Sequence, residues 1–371
     1  MLQLILRSDR QRFRHVVVSL NRSHGPIFNQ LQTSGVEVHT LDMPKSRVTW
    51  HGWRKLLRLL REQQPDVLHC WMYHACLVGA LAVPFVRVKR LLWGIRAAHA
   101  NLSDYGFLTQ MVIRLCAACS RRPESIIYNS HTSLEAHRQL GYSMERARII
   151  PNGVDEIRFS PDPMARQEVR RELAVSDDAP LIGLCARYDP MKDHETFLRS
   201  AALTRQHFPA SRFVLFGPGV DAGNVVLQQI IRELELSESV LLLGERQDTP
   251  RLYAALDVAC LSSWTESFPN VVVEAMACGI PSVVTDAGDS AAIVGDTGLV
   301  VPVRNPQALS DGLSSLLART SQDRAALGQR ARERVLGRFT LARAVAQYES
   351  LYLGEQGKPV PHSEPACIAA P

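Results

Sequence analysis

The run Ser262-Ser263-Trp264-Thr265-Glu266-Ser267-Phe268-Pro269-Asn270-Val271-Val272-Val273-Glu274-Ala275-Met276-Ala277-Cys278-Gly279-Ile280-Pro281 decides the plan of the molecule. Just before it, Val258 to Leu261 reads as a buried strand that stops at two serines. A short polar loop holding Glu266 follows. Pro269 is placed as the first residue of a helix, where its missing N–H costs nothing. The helix is expected to run to Cys278; Gly279 supplies a left-handed stop and Pro281 prevents continuation. The next strand, Ser282 to Thr285, begins at once.

Two carboxylates therefore sit near one helix start. Glu266 lies in the loop before it, and Glu274 lies one i,i+4 step from Asn270. Free N–H groups and the positive end of the macrodipole suit an anionic ligand there. A glutamate beside such a site grips hydroxyls more readily than phosphate, because like charges repel. A ligand with both a phosphate and sugar hydroxyls fits that arrangement, whereas the plain alternative is a strand–loop–helix unit with solvated glutamates.

Glu266-x7-Glu274, continued by Ala275-Met276-Ala277-Cys278-Gly279-Ile280-Pro281-Ser282-Val283-Val284, resembles the signature of family-4 retaining glycosyltransferases (glycosyl transferases group 1). That family has the GT-B fold: two Rossmann-like, doubly wound parallel-sheet α/β domains facing a cleft. The resemblance implies that Glu274 holds the ribose of a sugar nucleotide and Glu266 contacts the transferred sugar. It also puts Ser267, Phe268, Asn270 and Val271 beside the sugar and phosphates.

At 371 residues the chain suits two domains. Its 46% apolar and 21% charged residues are globular values. No apolar run approaches the ~20 residues that span a bilayer, and the opening Met1 to Leu6 is too short for a signal peptide. Of the eight cysteines only Cys116 and Cys119 are closely spaced, with no second pair or nearby His to complete a zinc set. Buried thiols in a reducing cytoplasm are the expectation. Residues 1–150 hold 21 Lys and Arg against 9 Asp and Glu, a balance of +12, and the remainder carries 21 against 28, or −7. A basic first half points to an anionic partner. No nucleic-acid recognition motif is present, so a membrane surface or phosphorylated lipid is preferred.

In the first half, residues 2–8 read as the end of an amphipathic helix, and His15 to Leu20 and Val36 to Leu41 as strands. Trp53 to Glu62 reads as a helix with Arg54, Arg58 and Arg61 along its outer side. A solvated face is the default for that stripe; docking on an anionic membrane is the alternative, because the stripe is purely basic. Further strands are Asp66 to Cys70, Arg90 to Ile95 and Ile126 to Asn129. Alternation with helices indicates a doubly wound sheet, whose ligands lie beyond the carboxyl ends of strands. His74, Arg96 and His99 fall there and are candidate acceptor-side groups. Members of the resembled family open with a strand, a Gly-rich loop and a helix. This chain opens inside what would be that helix, with no Gly before Gly25. A start lying upstream is expected, since loss of a central strand leaves unpaired backbone.

Ile149 to Asp155 is Pro/Asn/Gly punctuation and reads as an interdomain hinge. The expected organisation is 1–150 as an acceptor-side domain and 151–339 as a nucleotide-sugar domain. Residues 340–355 would form a helix crossing back to the first domain, and 356–371 a disordered tail. Leu181 to Ala186 is a strand leading into Arg187 and Lys192, which match the family's diphosphate-binding Arg and Lys. Asp193 is placed to cap the helix that follows. Gly217 and Gly244 end further strands, and Arg246 follows in a turn that borders the nucleotide base in the family.

The expected activity is retaining, metal-independent sugar transfer, with Glu266, Arg187 and Lys192 catalytic. The sugar would pass from a nucleoside diphosphate sugar to a lipid-linked or saccharide acceptor in cell-surface glycan synthesis. No cofactor beyond the donor substrate and no nucleic-acid partner are implied. The expected location is the cytoplasm, at the inner face of the membrane. The alternatives are a non-catalytic nucleotide-sugar-binding partner subunit and a GT-B nucleotide-sugar epimerase.

Overall fold

The computed structural model describes residues 1–22, 25–44, 47–98, 102 and 105–355; His99 and the 356–371 tail lie outside them. The chain divides into two compact units. Unit 1 combines Met1–Pro151 with the segment from Ala342 onward, and unit 2 is Asn152–Leu341.

Unit 1 contains strands β1 (Val16–Ser19), β2 (Glu37–Thr40), β3 (Val67–Trp71), β4 (Arg90–Ile95), β5 (Ser125–Tyr128) and β6 (Ala147–Ile149). All its pairings are parallel, and the strands form two sheets rather than one: β1–β2, and β3-β4-β5-β6 in sequence order. Among the described residues no strand joins β1 to β3. The burial follows from this. Within the sheet interior β5 is buried throughout, but β1 is only half-buried at every residue and β3 at all but Cys70. The two pieces still share a core, because Val18 of β1 and Leu68 of β3 pack on one cluster with Leu41, Leu56, Leu60 and Val78. On the unit-1 side, Tyr348 and Tyr352 of the Leu341–Leu353 helix close over β3, where the Tyr352 hydroxyl lies 2.8 Å from His69 Nδ1.

Unit 2 holds β7 (Leu181–Cys185), β8 (Arg212–Phe216), β9 (Val240–Leu242), β10 (Val258–Leu261), β11 (Ser282–Thr285) and β12 (Gly298–Val301). They form one parallel sheet in the order β12-β11-β10-β7-β8-β9. Continuous apolar strands are what a sheet covered on both faces requires. Successive residues serve opposite faces. Leu181 joins the core with Phe216, Tyr253, Val272 and Met276, and Ile182 the core with Phe197, Phe213, Leu309 and Leu313.

The strand order reverses between β10 and β7, and their N-terminal ends are tied by a buried charge. Arg170, in the Pro163–Glu172 helix, is almost wholly enclosed. It donates to Ala255 O (3.0 Å), to Ser176 O (2.7 Å) and to Asp257 Oδ2 (3.3 Å); that same oxygen accepts from the Leu181 amide at 2.8 Å. Arg166 holds the other oxygen of Asp257 at 2.7 Å. Removing one partner of such a buried pair costs ~3–5 kcal/mol.

Element boundaries differ from the sequence reading by one to three residues. The functional helix spans Asn270–Ala277, with Pro269 as its non-helical N-cap (φ −73°, ψ 96°) rather than its first residue. The stop is as read: Gly279 adopts φ +76°.

Three histidines make the fold acid-sensitive. Burial lowers His69 to about 3, and His137 and His194 to about 4. His137 cannot take a second proton cheaply: Nδ1 donates to Ser133 O at 2.6 Å, and Nε2 lies 3.0 Å from the Tyr73 hydroxyl. Each ring is neutral when folded, while the unfolded chain takes up a proton below pH ~6.5. Stability is therefore full above that value and falls as pH drops towards 4. At pH 5 the expected loss is about 1–2 kcal/mol per histidine, read as a lower urea midpoint at pH 5 than at pH 7.

Candidate active site

The carboxyl ends of all six unit-2 strands lie along one edge of the sheet, and the loops leaving β7 and β10 part at the reversal of strand order. Four contacts between these two loops fasten them together. Ser262 Oγ donates to Lys192 O (2.8 Å), Trp264 N to Met191 O (3.1 Å) and Trp264 Nε1 to Pro190 O (3.0 Å). The fourth is a short ion pair between Lys192 Nζ and Glu266 Oε1, with the side chains 17% and 11% exposed. Ser263 Oγ donates to the same Glu266 oxygen at 2.8 Å. Oε2 takes part in neither bond.

Arg187 is held within its own loop. Its Nε and Nη2 both donate to Asp189 Oδ2, at 3.1 and 2.8 Å, and its side chain is 54% exposed. Burial pushes the Asp189 carboxyl up, but the Met191 amide and the Arg187 guanidinium together hold it below its usual value. Asp193 caps the His194–His207 helix through the Thr196 amide, as its position predicts.

Glu274 has a different environment. Burial raises its carboxyl, partly offset by the Tyr253 hydroxyl, which donates to Oε2 at 3.2 Å. Tyr253 is itself buried, edge-on to Phe216 at 5.7 Å between ring centres. The Cys185 thiol at the end of β7 adjoins the same hydroxyl. Pro269 offers no capping side chain, so no side chain caps the start of the helix that carries Asn270 and Glu274. Asn270 Oδ1 accepts from Asn152 at 2.9 Å, Val271 is half-buried, and Phe268 is buried edge-on to Phe339. The Ser267 carbonyl receives the Asp289 amide at 3.1 Å.

Gly217 and Gly244 lie in the neighbouring loops, where Gly217 N donates to Gly244 O at 2.8 Å. Gly217 has φ +146°, and a side chain there would run into the Ala186 carbonyl. Arg246 is fully engaged: Asp248 takes Nε and Nη2, both at 2.8 Å, and Glu172 takes Nη1 at 2.7 Å. These bonds raise its pKa.

Of the unit-1 candidates, Arg96 follows β4, lies 4.7 Å from the centre of the Trp71 ring, and donates to the Tyr348 hydroxyl at 2.8 Å. His74 is in the first turn of the Met72–Ala82 helix, half-buried, with its pKa lowered by burial. Both are in structural surroundings as much as at a strand end.

Sequence reading missed Tyr253, Ser263 and Asp189. The first has no local signal, since only the fold brings its helix beside Glu274. The other two stand in the loops after β10 and β7 but become visible only through the side chains they meet.

Two family models match the chain: "Glycosyltransferase Family 4" over residues 1–158 and "Glycosyl transferases group 1" over residues 165–334. The chain belongs to the group 1, family 4 glycosyltransferases. Among curated relatives it is 27% identical to the N-acetyl-alpha-D-glucosaminyl L-malate synthase of Bacillus anthracis over 225 residues, 60% of this chain and 58% of that one. It is also 27% identical to the D-inositol 3-phosphate glycosyltransferase of Saccharomonospora viridis over 297 residues, 75% of this chain and 68% of that one. The chain spans about half the length of the first curated relatives it matches. Anabaena HepE, solved with UDP and glucose, superposes with a TM-score of 0.80 at 23% identity, covering 95% of this chain and 94% of HepE. This establishes the GT-B architecture: α/β, with parallel sheets in two Rossmann-like domains.

The loop holding Glu266 is braced from behind by Gly288 (φ +61°), where a Cβ would come within 2.5 Å of the Glu266 carbonyl. Gly288→Ala should therefore destabilise by ~1–3 kcal/mol. Gly337→Ala, in the open on the Ser321–Arg338 helix, should stabilise by ~0.5–1 kcal/mol. Urea midpoints of the two variants check the contrast.

Proposed function

We propose that this chain is a retaining glycosyltransferase that moves a sugar from a nucleoside diphosphate sugar to a saccharide or lipid-linked acceptor in glycan synthesis. The observation that carries the proposal is the convergence of Lys192, Glu266 and the loop of Arg187 at one switch point, beside the uncapped helix that bears Glu274. A uridine nucleotide is the first donor to test, supported by the HepE complexes with UDP and UDP-glucose.

In this reading the diphosphate meets Arg187, Lys192 and the amides at the helix start. The bond from the anomeric carbon to the phosphate oxygen breaks as the acceptor hydroxyl attacks from the same face. The departing phosphate takes that hydroxyl's proton, and Arg187 and Lys192 stabilise the charge growing on it. One well-placed donor of this kind is worth ~10²–10³ in rate. Glu266 Oε2 accepts from sugar hydroxyls and Glu274 from the ribose. The two cations stand where a divalent ion would otherwise be needed, so metal independence is part of the proposal. So are a cytoplasmic location and an acceptor-side role for unit 1, through Arg96 and His74. A second reading, a non-catalytic nucleotide-sugar-binding partner, draws on the two-piece sheet of unit 1. Acceptor-dependent turnover by the purified chain separates the two.

Arg187→Ala should lower kcat by ~10²-fold with little change in donor KM. Glu274→Ala should raise donor KM, with a smaller effect on kcat. Steady-state kinetics check both, and unchanged constants in both variants would remove the site. Activity should persist in EDTA, and product NMR should show the donor's anomeric configuration retained.

A further inference from the structure

We propose that unit 1 docks on an anionic bilayer through the Phe107–Cys119 helix, a surface separate from the donor site and independent of the reading above. This helix is amphipathic in an unusual sense. Its inner side is anchored by buried Ile113 and Cys116, the latter donating to Tyr73 O at 3.3 Å. Its outer side is apolar as well: Phe107, Leu108, Met111 and Leu115 are 72%, 50%, 45% and 48% exposed. At spacings of three to four residues they make one continuous stripe along ~12 Å of helix. A single exposed apolar residue needs no explanation, but a contiguous stripe marks a surface that is covered in use.

The charges around the stripe select the occupant. Residues 105–123 contain Arg114, Arg121 and Arg122 and no Asp or Glu. Arg114 and Arg121 are exposed, and the Arg122 guanidinium reaches Ala80 O at 3.4 Å, beside exposed Leu81. Glu124, the next residue along, is taken up by Arg90 at 2.9 Å, and apolar side chains beside exposed arginines are what a helix lying in the headgroup region of an anionic membrane presents. A second copy of so basic a surface would meet like charge.

The Trp53–Glu62 stripe, read from sequence as the docking alternative, is less suited. Arg54 lies 5.1 Å from the centre of the Trp50 ring, Arg58 sits 3.8 Å from Glu62, and Arg61 donates to Phe85 O at 3.4 Å. Glu62 on that helix sets it apart, because the Phe107–Cys119 helix carries no carboxylate. No helix among the described residues is long and apolar enough to cross a membrane, so this surface lies on one.

The test is co-sedimentation of the full chain with vesicles of phosphatidylcholine alone or with 30% phosphatidylglycerol. Binding should require the anionic lipid and weaken in 0.5 M NaCl. The triple substitution Phe107→Gln, Met111→Gln, Leu115→Gln keeps good helix formers on exposed positions. It should cut the partition coefficient at least tenfold while leaving the circular-dichroism spectrum and melting temperature unchanged. Arg114→Glu with Arg121→Glu should abolish the lipid selectivity. The proposal is overturned if the wild-type chain ignores anionic vesicles or if the triple variant binds them equally. It is also overturned if light scattering shows a dimer that the triple substitution dissociates.

Discussion

The ion pair between Lys192 and Glu266 is the contact around which the candidate site of unit 2 is arranged. A parallel sheet whose strand order reverses sends the loops after β7 and β10 over opposite faces, opening a crevice at their root. Bonds across the crevice keep the two loops in register, and the one between their functional side chains is a charged pair with both side chains largely enclosed. Such a pair contributes little net stability against an apolar replacement, yet loss of one partner strands the other charge in a dry setting. Its value is positional. Ser262 and Trp264 add uncharged bonds across the crevice, so the loop geometry does not rest on electrostatics alone.

The two glutamates that define the sequence signature thus live in different chemistries. Glu266 shares one oxygen between an ammonium and a hydroxyl. Glu274 rests in a partly apolar wall, where burial raises its carboxyl and a single tyrosine hydroxyl holds it in place. A carboxylate with so little local support is suited to a ligand's hydroxyls, which supply the donors that the protein leaves out.

How much of this could be read from sequence divides along physical lines. Strands of four or five continuous apolar residues, Pro and Gly punctuation, and the Glu266-x7-Glu274 spacing are local signals, and they located the sheet of unit 2 and the residues at its edge. The pairing of Lys192 with Glu266 is not local, because 74 residues separate them. Tyr253 escaped because a tyrosine on an apolar helix face looks like core until the fold sets Glu274 beside it. The exposed stripe on the Phe107–Cys119 helix escaped for the opposite reason: apolar residues on both sides of a helix read as burial, and only the structure shows which side is left open. The division of unit 1's sheet at β1 and β3 likewise depends on which strands pair.

The fates of two arginines show why position after a strand is not enough to assign a role. Arg187 and Arg246 both follow strand ends on the same edge of one sheet. A guanidinium has five N–H donors in a fixed fork. Arg246 commits all three of its nitrogens to two carboxylates, so an arriving phosphate would have to displace one of them. Arg187 commits Nε and Nη2 to a single oxygen of Asp189 and stays half-exposed. It can add a phosphate oxygen at Nη1 without giving up its anchor, and Asp189 then acts as a strut rather than a competitor. The same residue type, in a loop just past a strand, braces the surface in one case and keeps a positive face open in the other; the number of carboxylates within reach decides which.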